Sequence, residues 1–470
     1  MAIKKIEPIV EVQPAEEKKT TELVLVTKKV KTPQLLRGFH DVLGEDQIYW
    51  DAIHRKVREL AYAYSFDRIE LPILEPVELF VRSVGKQTDI VEKEMFQFQD
   101  QSGANVVMRP EATASTARAY IEHGMVDRPQ PVKMFYDGPM FRYDRPQAGR
   151  YRQFHQFGFE AFGSDEAIID AQLILIAERF FRELGIPVAV QVNSIGTTET
   201  RAEYKVELAT YYRQHRNVIC EDCKRRLTRN PMRVLDCKED GCRAVSVNAP
   251  QIIDWLDEPS KEHFMRVLEY LDEVEVHYQL APHLVRGLDY YTRTVFEIVP
   301  EVADDKSTAD SSTADELGKA GISGGQSALG GGGRYDGLVE LLGGRPTPAC
   351  GFAVGIERTV SALKGRQIKP EGSKHRDVFL AQLGDVARRK GLALFEAFRA
   401  EGIPVAEAFG KSALKAQLEL ADKYQTKYTL ILGQKEVLEG TIIVRDMESG
   451  VQETVDMNKV IGIIKKKLTE

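Results

Sequence analysis

Four arginines, Arg142, Arg145, Arg150 and Arg152, fall within eleven residues of one segment, 138–163 (GPMFRYDRPQAGRYRQFHQFGFEAFG). A guanidinium is planar, always charged and can donate two parallel hydrogen bonds, so a cluster this dense suits phosphate or carboxylate oxygens. The segment reads as two alternating strands around a central piece, 144–150, that holds proline and glycine, as in a long hairpin. On the second strand Arg152, Phe154, Gln156, Gly158 and Glu160 share one parity and so one face, offering a cation, an aromatic ring, an amide and a carboxylate. Gly158, with no side chain, leaves room between the last two polar groups. Phe157, Phe159 and Ala161 take the other parity, a packing face. On spacing alone, an ordinary half-buried hairpin with a solvated polar side stays open.

The cysteines make a second constellation. Cys220 and Cys223 are followed, after thirteen residues, by Cys237 and Cys242. Two close pairs across a short loop suit a tetrahedral four-thiolate zinc site of structural kind, although the second gap, of four residues, is wider than the common two. Free thiols remain the alternative. Cys350 stands alone and reads as a packing residue. Gly410-Lys411-Ser412 looks like the end of a phosphate-binding P-loop, but that motif needs a glycine five residues earlier, where Val405 stands.

The elements that must position these groups follow from periodicity. A helix is expected over 45–64, with Ile53, Val57, Leu60, Ala61 and Tyr64 on one face, then a strand over 67–72 that Pro72 ends. A second long helix spans 165–184, and Gly185-Ile186-Pro187 breaks it into a strand over 188–192. Residues 194–283, rich in charge and carrying the cysteine cluster, read as an inserted module. Residues 303–327, rich in Ser, Thr, Asp and Gly, read as a mobile loop. From Asp377 strands and helices alternate, which implies a small, largely parallel α/β domain. The Lys/Glu-rich residues 1–31 read as a disordered tail without the form of a signal peptide.

At 470 residues, 43% hydrophobic and 29% charged, the chain is an ordinary globular protein of two or three domains. No apolar run reaches membrane-spanning length, so a cytoplasmic protein without a membrane partner is the expectation. The net charge of −7 argues weakly against a nucleic-acid partner. Residues 374–470, however, hold 16 Lys and Arg against 14 Asp and Glu, so the C-terminal segment repels phosphate less than the rest.

The 138–163 segment is similar to motif 2 of class II aminoacyl-tRNA synthetases, and its FRYDRPQAGRYRQFHQFGFEAFG portion resembles the histidyl-tRNA synthetases in particular. Residues 284–297 (LVRGLDYYTRTVFE) and 331–338 (GGGRYDGL) resemble motifs peculiar to that family. The helix and strand ending at Pro72 resemble motif 1, 351–358 (GFAVGIER) motif 3, and 109–113 (RPEAT) the amino-acid-binding loop. The resemblance covers about residues 33–470, in the family's order.

It implies an α+β protein with a class II antiparallel-sheet catalytic core over 32–373, a helical insertion, and an α/β anticodon-binding domain over 374–470. It implies a homodimer built on motif 1. The implied activity is that of an ATP-dependent ligase of protein biosynthesis, activating L-histidine with ATP and Mg²⁺ and transferring it to tRNA(His), with no editing domain. Carried over by position, Arg142 would bridge the α-phosphate and the histidine carboxylate, Arg286 would face the α-phosphate, and Phe154 would stack on adenine. Arg358 would cover the other side near the γ-phosphate, and Arg150 would reach the outer phosphates. Glu111, with Ala112 and Thr113 beside it, would take the α-ammonium. Glu160 and Tyr291 would read the imidazole with Gln156 and Tyr290 close by, Tyr291 being the more direct contact because adjacent strand residues face opposite ways. Arg145 and Gln147 would be candidates for touching the tRNA acceptor end. The family's glycines in 331–338 would let the backbone approach the substrate ring. Ala112, where relatives often carry glycine, and the long 303–327 loop depart from the pattern. Two rival readings are a synthetase-like, non-catalytic histidine-sensing regulator and a synthetase for another amino acid. The intact set Arg142, Arg286 and Arg358 and a full C-terminal segment count against the first, and the two family-specific stretches against the second.

Overall fold

The computed structural model describes residues 32–86, 88–146, 149–301, 328–370 and 376–469, so the expected tail 1–31, the 303–327 loop and Gln147 lie outside the described residues. The strands up to residue 355 are, in chain order, β1 Asp67–Arg68, β2 Leu74–Pro76, β3 Phe96–Gln99, β4 Asn105–Met108, β5 Val132–Phe141, β6 Gln153–Phe162, β7 Val188–Ser194, β8 Tyr278–Leu280, β9 Thr292–Pro300, β10 Gly330–Arg334 and β11 Ala349–Gly355. Eight of them form one sheet in the order β1-β5-β6-β11-β10-β9-β7-β8, antiparallel except at the two edges, where β1 runs parallel to β5 and β8 to β7. Strands β2, β4 and β3 form a separate small antiparallel sheet.

The parity expected on β6 is the one that packs. Phe157, Phe159 and Ala161 face a core shared with the helices Asp46–Ala63, Ala167–Glu183 and Glu258–Glu273. Those helices carry apolar stripes such as Ile53, Val57 and Leu60, whose burial contributes most of what holds them to the sheet. The opposite face of β6 is left for polar side chains. The hairpin β5–β6 pairs over ten positions, from Val132 opposite Phe162 to Phe141 opposite Gln153.

Two helices match their expected ranges within two residues: Asp46–Ala63 and Ala167–Glu183. The strand expected over 67–72 is only two residues long. One further bond, from the Ile69 N–H to the Phe135 carbonyl, carries it on before Pro72, which has no N–H to donate. Within 194–283 the helices Thr198–Gln214, Glu221–Arg229 and Asp240–Ser246 form a cluster around Tyr204, Leu208, Tyr212, Cys223 and Cys242. The last helix of that stretch, Glu258–Glu273, packs into the main core instead, and β8 extends the main sheet.

The C-terminal strands are β12 Val378–Gln382, β13 Val405–Glu407, β14 Tyr428–Leu432, β15 Thr441–Asp446 and β16 Gln452–Asp456, in the order β13-β12-β14-β15-β16. The first three are parallel as expected, but β15 and β16 run antiparallel, so the sheet is mixed rather than largely parallel. The physical reason is the short connections: eight residues separate Leu432 from Thr441 and five separate Asp446 from Gln452, whereas a parallel crossover needs about a dozen or more. Gly410-Lys411-Ser412 lies in the loop before the helix Leu414–Lys423, consistent with rejecting a P-loop.

Candidate active site

The polar face of β6 and the ends of β5, β9, β10 and β11 enclose one cavity. Its wall includes Glu111, Thr113, Arg142, Arg150, Phe154 and Gln156, and also Arg286, Tyr290, Tyr291 and Arg358. These residues, from four separate stretches of sequence spread over some 250 positions, therefore meet. Arg142 lies with its guanidinium carbon 5.3 Å from the centre of the Phe154 ring and donates from Nε to the Pro110 carbonyl at 2.9 Å. Burial lowers its pKa from the usual arginine value, which leaves its charge intact. Burial also lowers Arg358, and the neighbouring Arg150 and Arg142 add to that. Three guanidinium groups held this close repel one another, and an anion placed among them relieves the repulsion.

Glu111 caps the helix Thr113–Glu122: its carboxylate accepts the Thr113 N–H at 2.7 Å and the Ala114 N–H at 3.0 Å. Burial raises its pKa, against the pull of those two N–H groups. A carboxylate can accept further donors, so Glu111 still presents an acceptor to the cavity. Arg286 pairs with Glu297 on β9 and stands 5.7 Å from the Tyr291 ring. Its nearer acid in sequence, Asp289, instead accepts from the Asn230 amide at 3.3 Å. The glycine run of β10 serves Arg286: a Cβ at Gly331 would come within 2.8 Å of the Arg286 Nη1.

Tyr290 and Tyr291 both reach the wall, with ring centres 4.8 Å apart. Strand alternation does not separate the two, because both precede β9, Tyr290 in a turn and Tyr291 just after it. Two residues expected at the site, Glu160 and Ala112, stand off its wall. Glu160 is fully buried behind the wall, accepting from the Thr113 hydroxyl at 2.7 Å and from the Tyr335 hydroxyl. Burial pushes its pKa up to about 8, although the Tyr335 and Thr113 hydroxyls counter that. The space above Gly158 is filled by the ring of Tyr136, its register partner on β5: a Cβ there would lie 2.3 Å from that ring. Tyr136 thus separates Glu160 from the cavity. Ala112 packs with Leu71, Ala119 and Met140 and does not line the wall. Arg145 is exposed in the hairpin loop, where it was expected, and Arg152 lies over Tyr143, 3.7 Å from that ring.

Sequence reasoning missed Tyr136, Glu94, Glu297 and Tyr335. Glu297 and Tyr335 sit inside the two family-specific stretches and were legible there. Tyr136 needed the strand register, and Glu94 ends a π-helical turn, Ile90–Glu94, that no periodicity announces.

The family model described as histidyl-tRNA synthetase matches residues 38–203 and 242–359, and the model for an anticodon binding domain matches residues 377–467. The chain belongs to the histidyl-tRNA synthetase family. A histidine–tRNA ligase of Dehalococcoides mccartyi is 44% identical over 92% of this chain and 99% of its own length. One from Fervidobacterium nodosum is 42% identical over 93% and 99%. The crystal structure of apo histidyl-tRNA synthetase from S. aureus superposes with a TM-score of 0.73 at 33% identity, covering 92% of this chain and 99% of that one.

Residues 204–241 fall between the two matched pieces, and they hold three of the four clustered cysteines. All four sulfur atoms, of Cys220, Cys223, Cys237 and Cys242, lie within 4.8 Å of one another, with Cys220 and Cys237 3.9 Å apart. The edge of a zinc–thiolate tetrahedron is about 3.8 Å, from a Zn–S distance of about 2.3 Å. The cluster fits such an ion. Cys350 is buried beside Arg334, away from the others, as a packing residue should be.

Proposed function

We infer that the chain is a histidine–tRNA ligase, which joins L-histidine to ATP as histidyl-adenylate, releases pyrophosphate, and passes the histidyl group to the 3′ end of tRNA(His). The observation that carries this reading is the meeting of Arg142, Arg286 and Arg358 with Glu111, Tyr290 and Tyr291 around one cavity. A three-cation cavity floored by an acceptor and two phenols takes a polyphosphate and a small zwitterion together.

In this reading Glu111 and Thr113 receive the α-ammonium, and Arg142 orients the α-carboxylate beside the α-phosphate. Phe154 stacks on adenine, Arg358 covers it from the far side, and Arg150 meets the outer phosphates. Carboxylate attack on the α-phosphorus forms the acyl-phosphate bond and expels pyrophosphate, and Arg286 stabilises the charge that gathers on the phosphate oxygens. Mg²⁺ accompanies the nucleotide as the counter-ion of its phosphates. Tyr290, Tyr291 and Gln156 read the imidazole, with Glu160 acting through the Thr113, Tyr136 and Tyr335 hydroxyls that surround it.

The reading divides the chain into a catalytic core over 32–373, with an insertion within 194–283, and an anticodon-binding domain over 374–470. It makes the protein a cytoplasmic homodimer, joined through the helix 46–63 region. Among the described residues no helix is long and apolar enough to cross a membrane. Arg145 and Gln147 are the candidates for the tRNA acceptor end. Cys220, Cys223, Cys237 and Cys242 hold a structural zinc ion, supplied to the insertion rather than to the reaction. Charging of tRNA(His) with radiolabelled histidine tests the whole reaction, and a folded protein that charges no tRNA would overturn it. Metal analysis tests the last point: about one zinc per chain is expected, with Cys223→Ser lowering both zinc content and melting temperature while the KM for histidine stays within about twofold. Zinc-free protein of unchanged stability would retire the metal.

A further inference from the structure

Strand β11 ends at Gly355, opposite Gln156 of β6, where the chain turns into the helix Ile356–Gly365. Strand β6 runs on for three more residues toward Gln153, with only β5 to pair with. Its N–H groups on the vacated side need another acceptor. The His155 N–H finds one in the carboxylate of Glu357, at 2.9 Å from each oxygen, and the His155 ring nitrogen Nδ1 lies 2.9 Å from Oε1 of the same group. On the other side His155 faces Pro139, which has no N–H, and the Pro139 carbonyl is taken by the Arg109 Nε at 2.9 Å. Glu357 is 7% exposed, and it lies in the first turn of its helix, where the helix dipole favours a negative charge. The edge of Trp50, from the helix Asp46–Ala63, closes over the His155 ring, with centres 4.8 Å apart.

His155 is flanked by Phe154 and Gln156, and Glu357 is followed by Arg358; all three flanking side chains line the cavity. A single carboxylate thus ties the strand that carries Phe154 to the helix that carries Arg358. We propose that Glu357 is a positioning residue for ATP, which acts through His155 to set the width of the slot between the Phe154 ring and the Arg358 guanidinium. The proposal rests on the reading of those two residues as the walls of the adenine slot. A carboxylate suits the task better than an amide, because it accepts from the backbone N–H and the ring together, whereas glutamine must turn one donor toward them.

The experiment is steady-state pyrophosphate exchange with full-length Glu357→Ala and Glu357→Gln, alongside Phe154→Ala and a melting curve for each. Glu357→Ala should raise the KM for ATP about tenfold or more, as expected when a charge-assisted contact is lost. The KM for histidine should move less than about twofold, and Glu357→Gln, which keeps one acceptor, should fall between Ala and wild type. If Glu357 only capped its helix, Glu357→Ala would melt earlier while the two KM values stayed unchanged or rose together. That result overturns the proposal, as does Glu357→Gln behaving like Glu357→Ala on the KM for ATP. Phe154→Ala separates the two levels. If it raises the KM for ATP while Glu357→Ala does not, the positioning role fails and the adenine slot stands. If neither does, the slot itself is wrong.

Discussion

The two sheets of this molecule bury different things. Among the described residues before 376, the buried polar side chains include the ionisable Arg109, Glu111, Glu160, Asp170, Arg334 and Glu357 beside a larger number of hydroxyls. Among the described residues 376–469, around the five-stranded sheet, they are Gln382, Gln417, Thr426 and Thr429, all uncharged. Burying an ionisable group costs far more than burying a hydrogen-bonded amide. Some of that cost is met structurally, as where Arg334 pairs with Asp170 and Asp336. The rest stands around the cavity, where Glu111 and Glu160 are raised by burial and Arg142 and Arg358 lowered. The first sheet is organised around a reaction; the second has an interior built for stability, and its function must lie on its surface.

The largest effect expected from this contrast is at Arg286. Arg286→Ala should cut the rate of pyrophosphate exchange roughly 10²–10³-fold, the usual loss when a preorganised charge-stabilising donor is removed. The KM for histidine should change much less, since Glu111, Tyr290 and Tyr291 remain. A folded mutant within about threefold of wild type would remove Arg286 from the chemistry and leave its pairing with Glu297 as its role.

Removing residues 374–470 probes the second sheet as a whole. The truncated chain, provided it gives a cooperative melt, should keep histidine-dependent exchange within about threefold and lose most tRNA charging, because recognition of single-stranded loop bases needs a second contact surface. Unimpaired charging would sever the five-stranded sheet from RNA binding.

A pH experiment sharpens the contrast at Glu160. Its pKa in the fold is about 8 against an ordinary value of 4.5, so between those limits the folded chain keeps a proton that the unfolded chain has released. Stability from this group is therefore complete below about pH 4.5 and declines as pH rises toward 8. Glu160→Gln should flatten that decline when melting is followed from pH 5.5 to 8.5. Parallel profiles would mean that the buried carboxyl is not a titrating liability.

The smallest effect is expected at Gln417, which donates to the Gln382 carbonyl at 2.8 Å and accepts the Gln382 N–H at 2.9 Å. Gln417→Ala should destabilise the C-terminal sheet by about 1–3 kcal/mol, the cost of leaving buried partners unsatisfied, with exchange activity unaltered. A change in activation kinetics would show that the two sheets are coupled.

Most of the cavity was legible because its residues lie in short stretches of distinctive type, and because β6 keeps strict alternation: Phe157 and Phe159 pack inward while Phe154 and Gln156 face the site. What escaped was whatever depended on another strand's register or on a turn. Tyr136 covers Glu160 only because it sits opposite Gly158, and Tyr290, expected close by, lines the wall as Tyr291 does because the chain there is not extended. In the C-terminal sheet β16 was missed since Gln452–Asp456 is exposed at every position but one, leaving no hydrophobic alternation to read. The cysteine cluster was read from spacing alone, and its four sulfurs do converge.

The most direct test of the account is amino-acid-dependent exchange of labelled pyrophosphate into ATP by the full-length protein, with each of the twenty amino acids offered in turn. The arrangement of Glu111, Arg142, Arg286, Tyr290 and Tyr291 predicts exchange with L-histidine alone. Exchange driven by another amino acid, or none from a folded and ATP-binding protein, would contradict it.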